Sequence, residues 1–378
     1  MAAGASRKIS AASARAHTRR GNQQSFQFPS GIIGKILLVF FIVFLAWAYK
    51  ATQPPSPKIC GSPDGPPVTA SRIKLSDGRH LAYKEHGVEK DKAKYKIVYI
   101  HGFDSCRHDA VAATTLSKDI VEDLGVYTVS FDRPGYGESD PHPNRSLKSM
   151  ALDVEELADQ LGLGLRFYVV GFSMGGQAVW PLLKYIPHRL AGAVLLAPVV
   201  NYWWPSFPAN LSKAAYYEQL PQDQWAVGIG HYAPWLTYWW NTQNLFPASS
   251  VIAHSTAVLS RRDFELMPKL SSRIEYQAQV RQQGEYETLH RDIMIGFGKW
   301  EFDPMELENP FTNHETTVHL WHGDEDKIVP ISLQKYIAQK LPWIHYHELK
   351  GAGHMFPHDD GMIDGIIKQL LTGEKFQS

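Results

Sequence analysis

The first 63 residues of this 378-residue chain contain no aspartate or glutamate; the first acid is Asp64. The same stretch holds eight cations: Arg7, Lys8, Arg15, Arg19, Arg20, Lys35, Lys50 and Lys58. The whole chain balances at 38 basic and 38 acidic residues, so residues 64–378 carry 30 against 38, a net of −8. A balanced chain excludes a broadly basic nucleic-acid binder and an acidic solvating tail. Cysteine is scarce: Cys60 and Cys106 are too few for a disulfide scaffold or a structural zinc site. No metal-ligand cluster, phosphate loop or dinucleotide fingerprint occurs, so no cofactor is implied. Disorder is excluded too, because hydrophobic residues make up 44% and charged residues 20%.

What is there begins with an apolar run. Gly31–Tyr49 reads GIIGKILLVFFIVFLAWAY, with Lys35 its one charge. A spanning helix needs about 20 apolar residues at 1.5 Å rise. The uncharged part from Ile36 is short of that, but Lys35 can snorkel to the interface, and Trp47 and Tyr49 stand where an aromatic belt lies. We expect a transmembrane anchor over residues 31–50, with residues 1–30 as a basic tail. A secretory signal peptide would start earlier and end at a small-x-small site, which is missing after Trp47. A transit peptide is the stronger rival, since residues 1–30 are rich in Ser, Ala and Arg and free of acids. A buried core helix is disfavoured by the Pro-rich stretch Gln53–Pro67. It is expected as a linker (51–67) reaching roughly 45 Å at about 3.1 Å per residue.

Five cations precede the apolar run and only Lys50 and Lys58 follow closely. The positive-inside rule then leaves the N-terminus cytosolic and the body across the membrane. This implies a single-pass protein of the endoplasmic reticulum or secretory pathway, with organellar targeting as the alternative. In a lumen the sequons Asn144-Arg-Ser146 and Asn210-Leu-Ser212 become relevant. Cys60 and Cys106 would pair there, or stay free in the cytosol.

The body alternates strand and helix signals. Alternating runs flank Asp77-Gly78 in residues 72–85, a hairpin signal. Short apolar runs then follow at KIVYIHGF (Lys96–Phe103), YTVSF (Tyr127–Phe131), RFYVVGF (Arg166–Phe172) and LAGAVLLAPVV (Leu190–Val200). Helical spacing is expected at 109–123, at Ser146–Gly162 and after Ser173. From Asn201 to about Glu308 no buried strand appears, yet seven of the eleven Trp sit there, so we expect a mostly helical insertion. Strands resume at Thr316–Pro330 and His345–His354, with helices over Leu333–Leu341 and Met362–Leu371. Strands separated by helices imply a parallel sheet covered on both faces.

Gly171-Phe172-Ser173-Met174-Gly175 matches G-x-S-x-G between a strand and a helix, the setting in which Ser173 stands exposed on a sharp elbow. A serine hydroxyl needs a base to become a nucleophile. Of seventeen His, His354 in Gly351-Ala352-Gly353-His354 follows the last strand; His358 is its local rival, and His345 and His347 lie within the strand. The base needs an acid to fix its tautomer. Asp326 in Gly323-Asp324-Glu325-Asp326 is the choice, with Asp324 the runner-up. Preset backbone donors for an oxyanion are expected from Phe103, after His101-Gly102, and from Met174.

The order Ser, Asp, His, with SDGRHLAY, HGF, DRPGYGESD, GFSMGG, GDEDKIVP and GAGH, resembles the α/β-hydrolase superfamily in its capped serine carboxylesterase-like branch, over residues of about 70–375. WWP, GKWEFDP, LPWI and YHEL look like a plant membrane-associated subgroup. The resemblance implies a mostly parallel eight-stranded sheet with helices on both faces. The core would be residues 68–200 and 309–378, and a helical cap would span 201–308. It also implies a catalytic triad of Ser173, Asp326 and His354. Its loops more often use His101, Asp132 and Arg133 for structure than for chemistry. Ser at 173 argues against a dehalogenase or an epoxide hydrolase, where an Asp would stand. The implied activity is hydrolysis of a small, lipophilic carboxylic ester, with the membrane and no nucleic acid as partner. Thioester hydrolysis or acyl transfer would use the same residues, and a slow or silent hydrolase that binds a small ligand is the non-enzymatic alternative.

Overall fold

The computed structural model describes residues 31–311 and 316–376. The basic tail expected over residues 1–30 lies outside the described residues. Two compact units are distinguished, one ending at Ala51 and one starting at Thr52.

The first unit is the helix α1, Ile32–Thr52. Its apolar side chains, from Ile32 to Trp47, are exposed. Among the described residues it is the one helix long and apolar enough to cross a membrane.

The second unit is built on one eight-stranded sheet: β1 Ser71–Lys74, β2 His80–Gly87, β3 Tyr95–Ile100, β4 Val126–Phe131, β5 Phe167–Phe172, β6 Leu190–Leu196, β7 Val318–Gly323 and β8 Ile344–Leu349. Their order is β1-β2-β4-β3-β5-β6-β7-β8. The sheet is mixed. β1 and β2 form the hairpin foreseen at Asp77-Gly78, and β2 meets β4 antiparallel; every later pairing is parallel. The strict alternation of strand and helix begins only after the hairpin, which explains why the parallel rule applies from β3 onward.

Side chains alternate across the pleat, so each central strand feeds two cores. Val98 and Ile100 of β3 join Val169 and Leu195 on one face, packed by Val154 and Leu157 of α4 (Leu147–Gln160) and Leu182 of α5 (Met174–Tyr185). Ile97 and Tyr99 join Val170, Leu196 and Trp321 on the other face, under Ile366 and Ile367 of the last helix, Met362–Thr372. Each such side chain contributes about 1.5–3 kcal/mol by leaving water. Truncating fully buried Leu157 to Ala would cost about 2–5 kcal/mol.

Two expectations need correction. The single helix foreseen over 109–123 is two short ones, α2 (Val111–Thr114) and α3 (Lys118–Leu124). Thr114 and Thr115 turn their hydroxyls back onto carbonyls four residues earlier, and Ser117 then caps a new helix at Ile120 N–H. The linker is also fastened earlier than expected. Lys58 N–H donates to Gln283 O at 2.9 Å, and Cys60 is buried with its N–H on Gln283 Oε1 at 3.0 Å.

Between β6 and β7 no strand occurs among the described residues. The segment is helical: α6 Ala209–Glu218, α7 Pro221–Tyr232, α8 Thr237–Thr242, α9 Arg261–Leu266, α10 Ile274–Val280 and α11 Arg291–Phe297. After β7, α12 (Ile331–Lys340) leads to β8 and α13 (Met362–Thr372) closes the chain.

Candidate active site

β5 ends at Phe172 and α5 begins at Met174, which leaves Ser173 alone to make the turn at φ 56°, ψ −117°. This is a backbone state that side chains disfavour by about 1–3 kcal/mol. The flanking glycines make it feasible by their lack of a Cβ. At Gly175 a Cβ would stand 2.0 Å from Ile100 O, and at Gly171 it would stand 2.3 Å from Gly175 O. The elbow is therefore pressed against β3, with Ser173 N–H anchored to Leu196 O at 2.8 Å.

Three loops at the carboxyl ends of strands meet there. His354, in the turn after β8, sets Nε2 3.0 Å from Ser173 Oγ and Nδ1 2.7 Å from Asp326 Oδ2. Asp326 follows β7, and its other oxygen accepts the N–H groups of Ile328 at 2.8 Å and Val329 at 2.9 Å. With a proton on Nδ1 donated to Asp326, Nε2 is left to accept from the serine hydroxyl. Burial pulls His354 down, but the adjacent Asp326 carboxylate outweighs it and holds the imidazole above its ordinary value. Burial pushes Asp326 up, and the His354 pair with the backbone donors reverses this and holds it below the usual carboxylate range.

The rivals are elsewhere. Asp324 accepts from Gly351 N–H and pairs with Lys350, and Glu325 faces solvent. His358 packs edge-on against the Phe172 ring; burial drives it down to about 4. His347 stacks on Trp321 at 3.8 Å, and His345 on His319.

Phe103 and Met174 line the cavity beside Ser173. Among the described residues neither N–H has a protein acceptor. Met174 opens α5, where helix N–H groups are unpaired and the dipole is positive. The cavity holds about 760 Å³, its open mouth included. Its walls are mostly apolar, with Val199, Val200, Tyr202, Val227, Ile293 and Phe297 among them. None of the seven insertion tryptophans lines it. Six of them pack on one another or on neighbouring rings, as Trp203 does on His231 and Trp204 on Trp300, and Trp235 is exposed.

Behind the loop His101–Phe103 lies a buried ion network. Arg133 donates to His101 O and Gly102 O, and through both terminal nitrogens to Asp292 at 2.8 and 2.6 Å. Arg145 and Tyr136 also reach Asp292. Asp132 instead pairs with Arg107. Cys60 and Cys106 are both free and buried; burial raises their thiols to about 11 and about 12. Three residues at this site escaped sequence reasoning. Asp292 carried no signal. His322, 3.5 Å from Asp326, looked like an ordinary strand residue. Asp263 was legible in principle, since Ser260-Arg-Arg-Asp263 has the spacing of a capping box.

Residues 96–360 match the alpha/beta hydrolase fold family. The chain belongs to that family. Among solved structures, this hydrolase-fold chain is similar to a thermophilic esterase from Thermogutta terrifontis, at 19% identity and TM-score 0.50, covering 80% of this chain and 98% of that one. It is also similar to an enol-lactonase from Burkholderia xenovorans LB400 (15%, TM-score 0.55, 80% and 100%). A putative non-heme bromoperoxidase from Mycobacterium tuberculosis H37Rv is a third (16%, 0.53, 81% and 99%). At such identities the likeness is one of fold, and the three differ in chemistry, so the site itself must carry the functional argument.

Proposed function

We propose that this protein is a serine hydrolase that cleaves a lipophilic carboxylic ester. The observation that carries the reading is the hydrogen-bonded run Ser173–His354–Asp326 at the wall of an apolar cavity, beside two unpaired N–H groups. His354 Nε2 takes the hydroxyl proton as Ser173 Oγ attacks the ester carbonyl. The carbonyl oxygen becomes an oxyanion facing Phe103 and Met174 N–H, each worth about 10²–10³ in rate. Asp326, held ionised, balances the imidazolium. The tetrahedral centre collapses, His354 protonates the departing alcohol, and the acyl group stays on Ser173. Water then repeats the sequence, with His354 as base, and releases the acid.

The insertion over 201–308 is read as a cap that supplies the acyl-chain walls. The helix α1 is read as a signal-anchor holding the hydrolase at a membrane, where lipophilic esters partition. Its 21 residues and the acid-free cations ahead of it support this. The charge bias favours a lumenal body, and the sequon residues Asn144 and Asn210 are both exposed.

The test is fluorophosphonate labelling and an ester panel, with Ser173→Ala beside the wild type. Labelling and turnover should vanish in the variant, by on the order of 10⁵-fold or more, while its melting temperature stays close to wild type. A labelled, active alanine variant would remove Ser173 from the chemistry. The full chain should also resist carbonate extraction from membranes; its release would end the anchor reading.

A further inference from the structure

The helix α9 belongs to the insertion, yet it touches the loop that carries His354. At its start Ser260 Oγ accepts Asp263 N–H at 3.1 Å, and Asp263 Oδ2 accepts Ser260 N–H at 3.0 Å. A capping box normally satisfies its own helix and nothing else. Here the second carboxylate oxygen, Oδ1, accepts the N–H of Met355 at 2.7 Å. On the other side of His354, Gly353 lies so close that a Cβ would stand 2.2 Å from Ser260 Oγ and 2.3 Å from Asp263 Oδ2. Asp263 thus holds the backbone after His354 by a hydrogen bond, and the Ser260–Asp263 box stands against the backbone before it. This gives a reason for the second glycine of the GAGH sequence.

Asp263 is fully buried. Among the described residues no Lys or Arg pairs with it: Arg261 turns to Glu265, and Arg262 to Glu265 and Asp359. A buried carboxylate without a cation is held by backbone donors alone. His354 sits between its two contacts and becomes cationic whenever it takes the Ser173 proton.

We propose that Asp263 is a positioning residue for His354, which fixes the 353–355 backbone from the insertion side and sets a second carboxylate, besides Asp326, in the field of the imidazolium. This rests on the reading of His354 as the base. The groups facing His354 are Asp326, Asp263, Ser173, His322 and His358, and burial lowers both of these histidines toward neutrality. The two carboxylates are therefore the charges that act on it, and both favour the protonated ring. The ion pairs Arg262–Asp359 and Lys269–Asp360 (2.8 Å) fasten the same stretch to residues just past His354. A displacement of this part of the insertion would carry the base with it.

The experiment follows the downfield Nδ1 proton of His354 by NMR across pH, in the full chain in detergent. Asp263→Asn should lower the titration midpoint by about half to one pH unit. It should cut kcat about tenfold, with KM changed less than about twofold. Ser260→Ala keeps the carboxylate and its bond to Met355, so it should lower the melting temperature and leave the midpoint in place. Gly353→Ala pushes the box away without altering the charge count. It should lower the midpoint too, and it decides the matter if Asp263→Asn does not fold. A midpoint unmoved in the folded variants, or moved equally by Ser260→Ala, overturns the proposal. The proton resonance needs no turnover. A wild type that neither hydrolyses esters nor labels would therefore end the esterase reading while the midpoints still decide the role of Asp263.

Discussion

The sheet and the insertion solve different problems with different materials. Strand register fixes the sheet, which brings Ser173, Asp326 and His354 together from three loops far apart in sequence. The insertion has no such register. From Gln219 to Ser260 it spans 42 residues with a single charged side chain, the buried Asp223, and relies on rings and caps. It nonetheless builds most of the cavity wall. The comparison teaches that the groups read as chemical stand on the rigid layer, while the groups that shape the cavity stand on the adaptable one.

The sharpest way to break this division is at the acid. Asp326→Asn should lower kcat by on the order of 10³- to 10⁴-fold, through the wrong tautomer at His354. Asp324→Asn should change it less than about threefold, since that carboxylate serves Gly351 and Lys350. Comparable losses from both would move the acid to Asp324.

Next in size is the seam between the two layers. Asp292→Asn leaves Arg133 and Arg145 buried without their counter-ion and should cost about 3–5 kcal/mol, read by denaturant unfolding. A cost below about 1 kcal/mol would mean that this ion network does not hold the insertion to the sheet.

A smaller effect sharpens the division from the insertion side. Val227→Phe narrows the cavity and should shift the preferred acyl length downward, with kcat/KM for longer esters reduced about tenfold. The fluorophosphonate labelling rate should stay constant. A uniform loss across all chain lengths would show that residue 227 acts on the chemistry rather than on the fit.

The smallest expected effect is on pH. A histidine base works when neutral, and on the proposed reading that base is His354, held above its ordinary value of about 6.5. Activity should therefore rise with pH through a midpoint above 6.5. Asp326→Asn should move that midpoint down. A wild-type midpoint below 6 would contradict the ion-pair geometry.

Legibility in the sequence followed the same line. The hairpin, the buried strands and the elbow were readable because pattern and turn residues reinforce each other over a few positions, as at Asp77-Gly78 and Gly171–Gly175. Ser173, Asp326 and His354 could be singled out as candidates because each follows a strand in a glycine-marked loop. Asp292 was not, since its partner Arg133 lies 159 residues away and no local pattern announces it; the capping-box spacing marks Asp263 as a helix start but not its bond to Met355, 92 residues away. Seven tryptophans mark the insertion in the sequence, but composition alone does not assign a face: the cavity is walled mainly by Val, Ile, Tyr and Phe. The two short helices in place of one at 111–124 came from threonine back-bonds that periodicity cannot register.

The left-handed backbone of Ser173 has a consequence for anyone who selects variants of this protein. At that φ and ψ glycine is at ease and serine is not, so thermal resistance and a hydroxyl pull position 173 in opposite directions. A library sorted only by survival on heating would gather glycine there and drift toward sturdy, silent molecules. Any stabilisation campaign should therefore hold residue 173 fixed and look for its gains in the insertion.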